Sequence, residues 1–167
     1  MPLIGTPSHP RDSAGSTRAD RRSADPDRLF VYGSLMFPEV LAALLGRIPD
    51  RSPARMSGWR AAALPDRVYP VLVRDPSADA SGALLTGISA AEWEILDAYE
   101  EDLYDLLRLP LEGGGHAWTY VAPEGADAPE GFWSADEFAD RHLAAYVAAC
   151  RVWRGGFADS AAGGDAS

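Results

Sequence analysis

Apolar residues run together at Leu29-Phe30-Val31-Tyr32 and stop at Gly33-Ser34, which predicts a short buried strand ending in a tight turn. Pro38 then opens a helical pattern through Val40, Leu41, Leu44 and Leu45, and Gly46 can close it. Strands are predicted over residues 58–62, 68–73 and 82–88. Pro70 puts the second at an edge or a bulge, and Asp75-Pro76-Ser77 reads as a turn. Ser89 and Glu92 form a capping box, with Ile88 and Trp93 as its hydrophobic staple. From Trp93 the same helix face passes through Leu96 to Glu100. Two readings of Glu100 stand side by side. If it is buried on that face, desolvation raises its pKa toward the range a proton-transferring carboxylate needs. If the helix ends sooner, Glu100-Glu101-Asp102 is a solvated acidic turn, which is the usual fate of a charge run.

Beyond Tyr104, residues 106–111 and 118–121 pattern as strands joined by the hairpin loop Glu112-Gly113-Gly114-Gly115. A second capping box, Ser134 with Glu137, starts a helix whose stripe carries Phe138, His142, Ala145, Tyr146, Ala149, Cys150 and Trp153, with Gly155-Gly156 as its end. Strands and helices mix without strict βαβ alternation. The expected fold is α+β, a small mixed or antiparallel β-barrel flanked by helices. Residues 1–27 and 158–167 lack periodic apolar positions and read as disordered tails around one domain, 28–157.

Composition narrows the partners. The 167 residues carry a net charge of −10, which opposes binding to a nucleic-acid backbone or an anionic membrane surface. No apolar run is long enough to span a bilayer, and no secretory leader pattern is present, so a cytoplasmic location is expected. The single cysteine, Cys150, excludes an internal disulfide and reads as a small buried apolar residue. His9, His116 and His142 lie far apart, without H-E-x-x-H or paired cysteines, so no metal site is expected. Ser34 lacks the G-x-S-x-G context of a hydrolase nucleophile, and Gly33-Ser34 lacks the G-K-[ST] of a phosphate-binding P-loop. An anion-holding turn after the first strand and one acid on an apolar helix face remain.

In order along the chain, Val31-Tyr32-Gly33-Ser34-Leu35, Tyr69-Pro70, Gly82-x-Leu84-x-x-Gly87, Leu96-Asp97-x-Tyr99-Glu100 and Tyr104 resemble the γ-glutamyl cyclotransferase-like proteins. The plant avirulence-induced-like branch is the nearer match, through Glu137-Phe138, His142-Leu143 and Cys150. The resemblance spans roughly residues 29–155. It implies that Glu100 is the catalytic acid and base, that Tyr32, Gly33, Ser34 and Leu35 hold the γ-glutamyl carboxylate through backbone N–H groups, and that Tyr104 lines the pocket. Two positions depart from the family pattern. Glu101 stands where Gly or Asp is usual, and Leu106 replaces a common Arg, which bears on substrate preference.

The implied enzyme is a cofactor-independent transferase or lyase. A γ-glutamyl compound closes on itself, its α-amine attacking its own γ-carbonyl, and releases 5-oxoproline with a free amine or amino acid. One glutamate of raised pKa can serve both proton transfers. The acidic chain would not steer the multiply charged glutathione, which favours a γ-glutamylamine. The competing reading is a non-catalytic module that holds an amino-acid-like ligand in the same pocket.

Overall fold

The computed structural model describes residues 24–65, 67–100, 104–123 and 129–165. The order is β1 (Leu29–Val31), a 3₁₀ turn (Ser34–Met36), α1 (Pro38–Leu45), β2 (Asp50–Ala63), β3 (Pro70–Thr86), α2 (Ala90–Glu100), β4 (Asp105–Pro110), β5 (His116–Val121), α3 (Ala135–Arg141) and α4 (Leu143–Asp165). The strands form one mixed sheet in the order β2-β3-β1-β5-β4. β1 pairs antiparallel with β3 and parallel with β5, and the other two pairs are antiparallel.

The strand β1 is buried along its length because both faces are covered, as a continuous apolar run in a central position should be. Leu29 and Val31 join the core beneath α1, α2 and α4, with Val40, Leu41, Leu44, Trp93, Leu96, Val147 and Cys150. Phe30 and Tyr32 point the opposite way, into a second core with Met56, Trp59, Leu72, Leu111, Ala117 and Val121. That second core lies within the curl of the sheet. The curl brings the β4–β5 turn toward β2, where the Glu112 backbone N–H donates to Arg55 O at 2.9 Å. The α+β fold with a mixed sheet flanked by helices is the one expected from sequence; the sheet is open and curled, with β2 and β4 at its two ends.

Several elements differ from the sequence pattern. The two strands expected at 68–73 and 82–88 are one strand, and β2 begins well ahead of residue 58. Asp75-Pro76-Ser77 is not a chain-reversing turn. In the β2–β3 register Ser57 faces Asp79 and Trp59 faces Arg74, so residues 75–78 bulge against the single Gly58. The Asp75 carboxylate accepts from both the backbone N–H and the hydroxyl of Ser77, a local turn habit kept inside the strand.

The last helix is corrected twice. It breaks at His142, whose φ of −124° is not helical, so α4 starts in a new phase. Leu143, Tyr146, Val147, Cys150 and Trp153 then face the core, while Ala145 and Ala149 are exposed. Gly155-Gly156 does not end it either, and α4 runs on through an alanine-rich stretch to Asp165. Glycine costs only about 1 kcal/mol per helical position and adopts helical dihedrals freely.

Order at the other end begins ahead of residue 28. The Trp118 and Trp93 indole N–H groups donate to Ala24 O and Pro26 O, and Asp25 pairs with Arg108 at 2.7 Å. Residues 1–23 lie outside the described residues. No described helix is long and apolar enough to cross a membrane.

Candidate active site

The α2 helix sets the acid. Its capping box forms in both directions, Ser89 Oγ accepting from Glu92 N–H at 3.1 Å and Glu92 from Ser89 N–H at 3.0 Å. Ile88 and Trp93 are both buried beside it. The Arg47 guanidinium clamps the Glu92 carboxylate with two bonds of 2.6 and 2.7 Å, a partner that sequence periodicity does not reveal. That pairing holds the Glu92 carboxyl below its ordinary value. At the other end, Asp97 accepts from the Tyr120 hydroxyl at 2.8 Å, tying the helix to β5. The helix continues through Glu100, so of the two sequence readings the inward-facing, half-buried position is the observed one. Glu101 and Asp102 fall outside the described residues.

The negative charge of Glu100 is felt by three phenols and one thiol. Burial first pushes the phenols of Tyr32 and Tyr104 well above the ordinary value; the Glu100 charge comes next for Tyr32, and for Tyr104 it follows the neighbouring Tyr32. The same negative charge acts on the Tyr146 phenol and on the Cys150 thiol, each raised mainly by burial. Groups just after β1, just before β4 and on α4 therefore lie within reach of one carboxylate's charge.

The turn after β1 reaches the same place. Tyr32 donates to Tyr120 O at 2.5 Å, which fixes the strand end against β5. Met36 N–H closes the 3₁₀ turn on Gly33 O at 2.9 Å, and the Ser34 and Leu35 N–H groups stand ahead of that first bond, as at any helix start. Ser34 and Leu35 are themselves buried. Ser34 Oγ donates to the Tyr146 hydroxyl at 3.1 Å. Tyr69-Pro70 closes the turn from above: the Pro70 ring abuts Gly33, and Pro70 O accepts from the Tyr104 hydroxyl at 3.0 Å. The turn Tyr32-Gly33-Ser34-Leu35, Pro70, Tyr104 and Glu100 thus fall in one region. Leu106 is 4% exposed in the helix-side core, where an arginine's charge would be costly.

Three contributors were not picked out as site residues. Tyr99 donates to the Tyr146 hydroxyl and lies 3.4 Å from Cys150 Sγ, so Tyr146, Tyr99 and Cys150 form a polar cluster inside the helix interface. Periodicity reads Tyr146 and Cys150 as core, and their polar atoms meet Tyr99 only once α4 packs beside α2. A cavity of about 200 Å³ opens beside the turn, lined in part by Tyr32, Met36, Asp79, Ser81 and Trp133. Glu100 is absent from its lining, and the cavity meets the site through Tyr32 and Met36.

This fold has known counterparts. Residues 29–135 match the family model described as gamma-glutamyl cyclotransferase, AIG2-like, and the chain belongs to that family. AIG2-like protein D of Arabidopsis thaliana is 32% identical over 127 residues, covering 71% of this chain and 83% of that protein. AIG2-like protein C of the same plant is 44% identical over 77 residues, covering 46% of this chain, which spans about half the relative's length (45%). A solution structure of another Arabidopsis thaliana protein superposes with a TM-score of 0.58 at 27% identity, covering 74% of this chain and 87% of its own. Tyr146 and Cys150 lie beyond the region the family model matches.

Proposed function

We propose that the chain is a cyclotransferase that releases 5-oxoproline and a free amine from a γ-glutamyl compound. The observation that carries this reading is the placement of Glu100: one half-buried carboxylate whose charge reaches Tyr32, Tyr104, Tyr146 and Cys150, beside the turn Tyr32-Gly33-Ser34-Leu35. Membership of the family supports the reaction class.

In this mechanism the turn holds the α-carboxylate of the substrate on its leading N–H groups, and Tyr104 walls the pocket. Folding the glutamyl chain brings its α-amine to its own γ-carbonyl, so proximity comes largely from the substrate. The ammonium sheds two protons in becoming the lactam N–H: Glu100 takes the first as nitrogen attacks and passes it to the departing nitrogen, then carries the second to the freed amine. The new C–N bond closes the lactam and the old one breaks. No cofactor enters the scheme.

A γ-glutamylamine is the proposed substrate class, since a chain of net charge −10 disfavours a multiply anionic one. The test is incubation of the purified protein with γ-glutamylamines, γ-glutamyl amino acids and glutathione while 5-oxoproline is measured. Turnover of none of them, with retained binding of a γ-glutamyl analogue, would instead establish a binding module.

A further inference from the structure

Proton bookkeeping around Tyr146 identifies a group the mechanism above leaves unused. A phenol has one proton to give and an oxygen that accepts. The Tyr146 oxygen accepts from Ser34 Oγ at 3.1 Å and from the Tyr99 hydroxyl. Tyr99 has spent its only proton on Tyr146, so the 3.4 Å contact with Cys150 is filled from the other side, the thiol donating to the Tyr99 oxygen. Both hydroxyl donors of the cluster, Ser34 and Tyr99, point toward Tyr146, and the Tyr146 hydroxyl has no other hydrogen-bond partner among the described residues. Its own proton is the one the cluster has left to present.

Where that proton is presented matters as much. Tyr146 touches the turn proposed to hold the substrate, through Ser34, and stands within the field of Glu100. It therefore touches the anchor and feels the charge of the acid. We propose that Tyr146 is a second catalytic residue, whose hydroxyl donates a hydrogen bond to the γ-carbonyl oxygen of the substrate as that oxygen becomes an alkoxide. The inference rests on the cyclotransferase reading.

The chemistry balances without a further reactant. When the α-amine attacks, the carbonyl π electrons move onto oxygen while Glu100 takes the ammonium proton. When the carbonyl re-forms, the leaving nitrogen takes the C–N bonding pair and the Glu100 proton, and Glu100, again a carboxylate, takes the second proton from the lactam nitrogen and gives it to the freed amine. Tyr146 stays protonated throughout and stabilises the alkoxide by hydrogen bonding alone. Burial first, against the opposing pull of the Ser34 and Tyr99 bonds, holds its phenol up at about 12, so at neutral pH it is a donor and not a base. The two donated bonds polarise its O–H further. The carbonyl oxygen is the fitting acceptor because Glu100 must work on the two nitrogens attached to that same carbon.

The test is Tyr146→Phe, which keeps the ring and its edge contact with Phe138, centroids 5.3 Å apart. Turnover, KM and melting temperature are compared with those of wild type and Glu100→Gln. The expected result is a kcat lowered by about 10²–10³-fold, the loss typical of one oxyanion donor, with KM within about threefold of wild type. If Glu100→Gln is inactive but Tyr146→Phe keeps kcat within about threefold, or loses affinity in place of kcat, the inference is overturned and the function stands. A wild-type protein with no turnover overturns both. Should Tyr146→Phe melt early, Tyr99→Phe replaces it, removing one bond that orients the phenol. Its kcat should fall about fivefold at constant KM, the worth of one hydrogen bond of about 1 kcal/mol, and an unchanged kcat overturns the proposal.

Discussion

The Pro70 ring stands 2.7 Å from the point a Cβ on Gly33 would occupy, so the turn after β1 and the start of β3 interlock through the absence of one carbon. A proline ring cannot swing aside as a lysine or methionine would. Gly33→Val should therefore displace the turn, lower stability by about 1–3 kcal/mol as overpacking does, and sharply weaken binding of a γ-glutamyl analogue. Ser34→Ala leaves the backbone in place and should weaken binding only modestly. Chemical denaturation and analogue titration of the two variants check the contrast, and equal small effects would remove the turn as the anchor.

Glu100→Gln preserves size and most hydrogen bonding but cannot cycle a proton. Turnover should fall by about 10²-fold or more, with analogue affinity nearly unchanged. Glu94→Gln, on an exposed position of the same helix, serves as the control and should keep activity. The measurement is 5-oxoproline release by both variants.

How this site could be read from sequence depends on the kind of contact. The turn and the helix that carries Glu100 were legible from local punctuation, a glycine turn and a capped helix with a 3–4 residue period, whereas Pro70 and Tyr104 entered the site only through the family resemblance. The Ser89–Glu92 box needed only four residues and formed as expected. Arg47 on Glu92 and Tyr146 on Ser34 were not legible, since no local pattern says which distant side chain will arrive. The helix break at His142 was hidden for a related reason: the stripe through Phe138, His142 and Tyr146 is a continuous helical face on paper, and only docking separates its phases. The bulge at residues 75–78 shows the reverse case. Turn residues there kept their local bonding but were absorbed into a strand by its long partner.

Stability at low pH should depend on the Arg47–Glu92 clamp. The folded carboxyl lies below its ordinary value of 4.5, mainly through the Arg47 hydrogen bonds, so the pair stabilises the fold fully above that value. The contribution is lost as pH falls through the lowered folded value. Glu92→Gln keeps the capping geometry but not the charge. It should melt below wild type at pH 7, and the gap should close as pH drops beneath 4.5. A gap that stays constant down to pH 2 would mean that the clamp is not what titrates.

Truncation should separate the two parts of the N-terminal segment. Deleting residues 1–23, which lack core-forming residues, should leave the melting temperature unchanged. Deleting residues 1–28 also removes the carbonyls of Ala24 and Pro26 that receive the indoles of Trp118 and Trp93. Leaving such buried donors unsatisfied costs about 1–3 kcal/mol each, so the second deletion should melt many degrees lower. Differential scanning calorimetry on both chains decides it.

Gly82→Ala makes the sharpest stability prediction. A Cβ there would stand 2.0 Å from Val31 O, a backbone atom of the central strand. The cost should be about 3 kcal/mol, at the upper end of the overpacking range, with unfolding midpoints as the readout.

The bond between Ser34 and Tyr146 joins residues 112 positions apart. Bringing two such distant points together costs about 4 kcal/mol of chain entropy, which many other contacts must already have offset. During synthesis the turn and the acid emerge long before α4 does, so a nascent chain can carry both and still lack the wall that completes their surroundings. Such high contact order slows folding and ties activity to its final step. Recovery of turnover after dilution from denaturant would thus lag the return of sheet signal, and enzymatic rate would serve as a clock for the docking of the last helix.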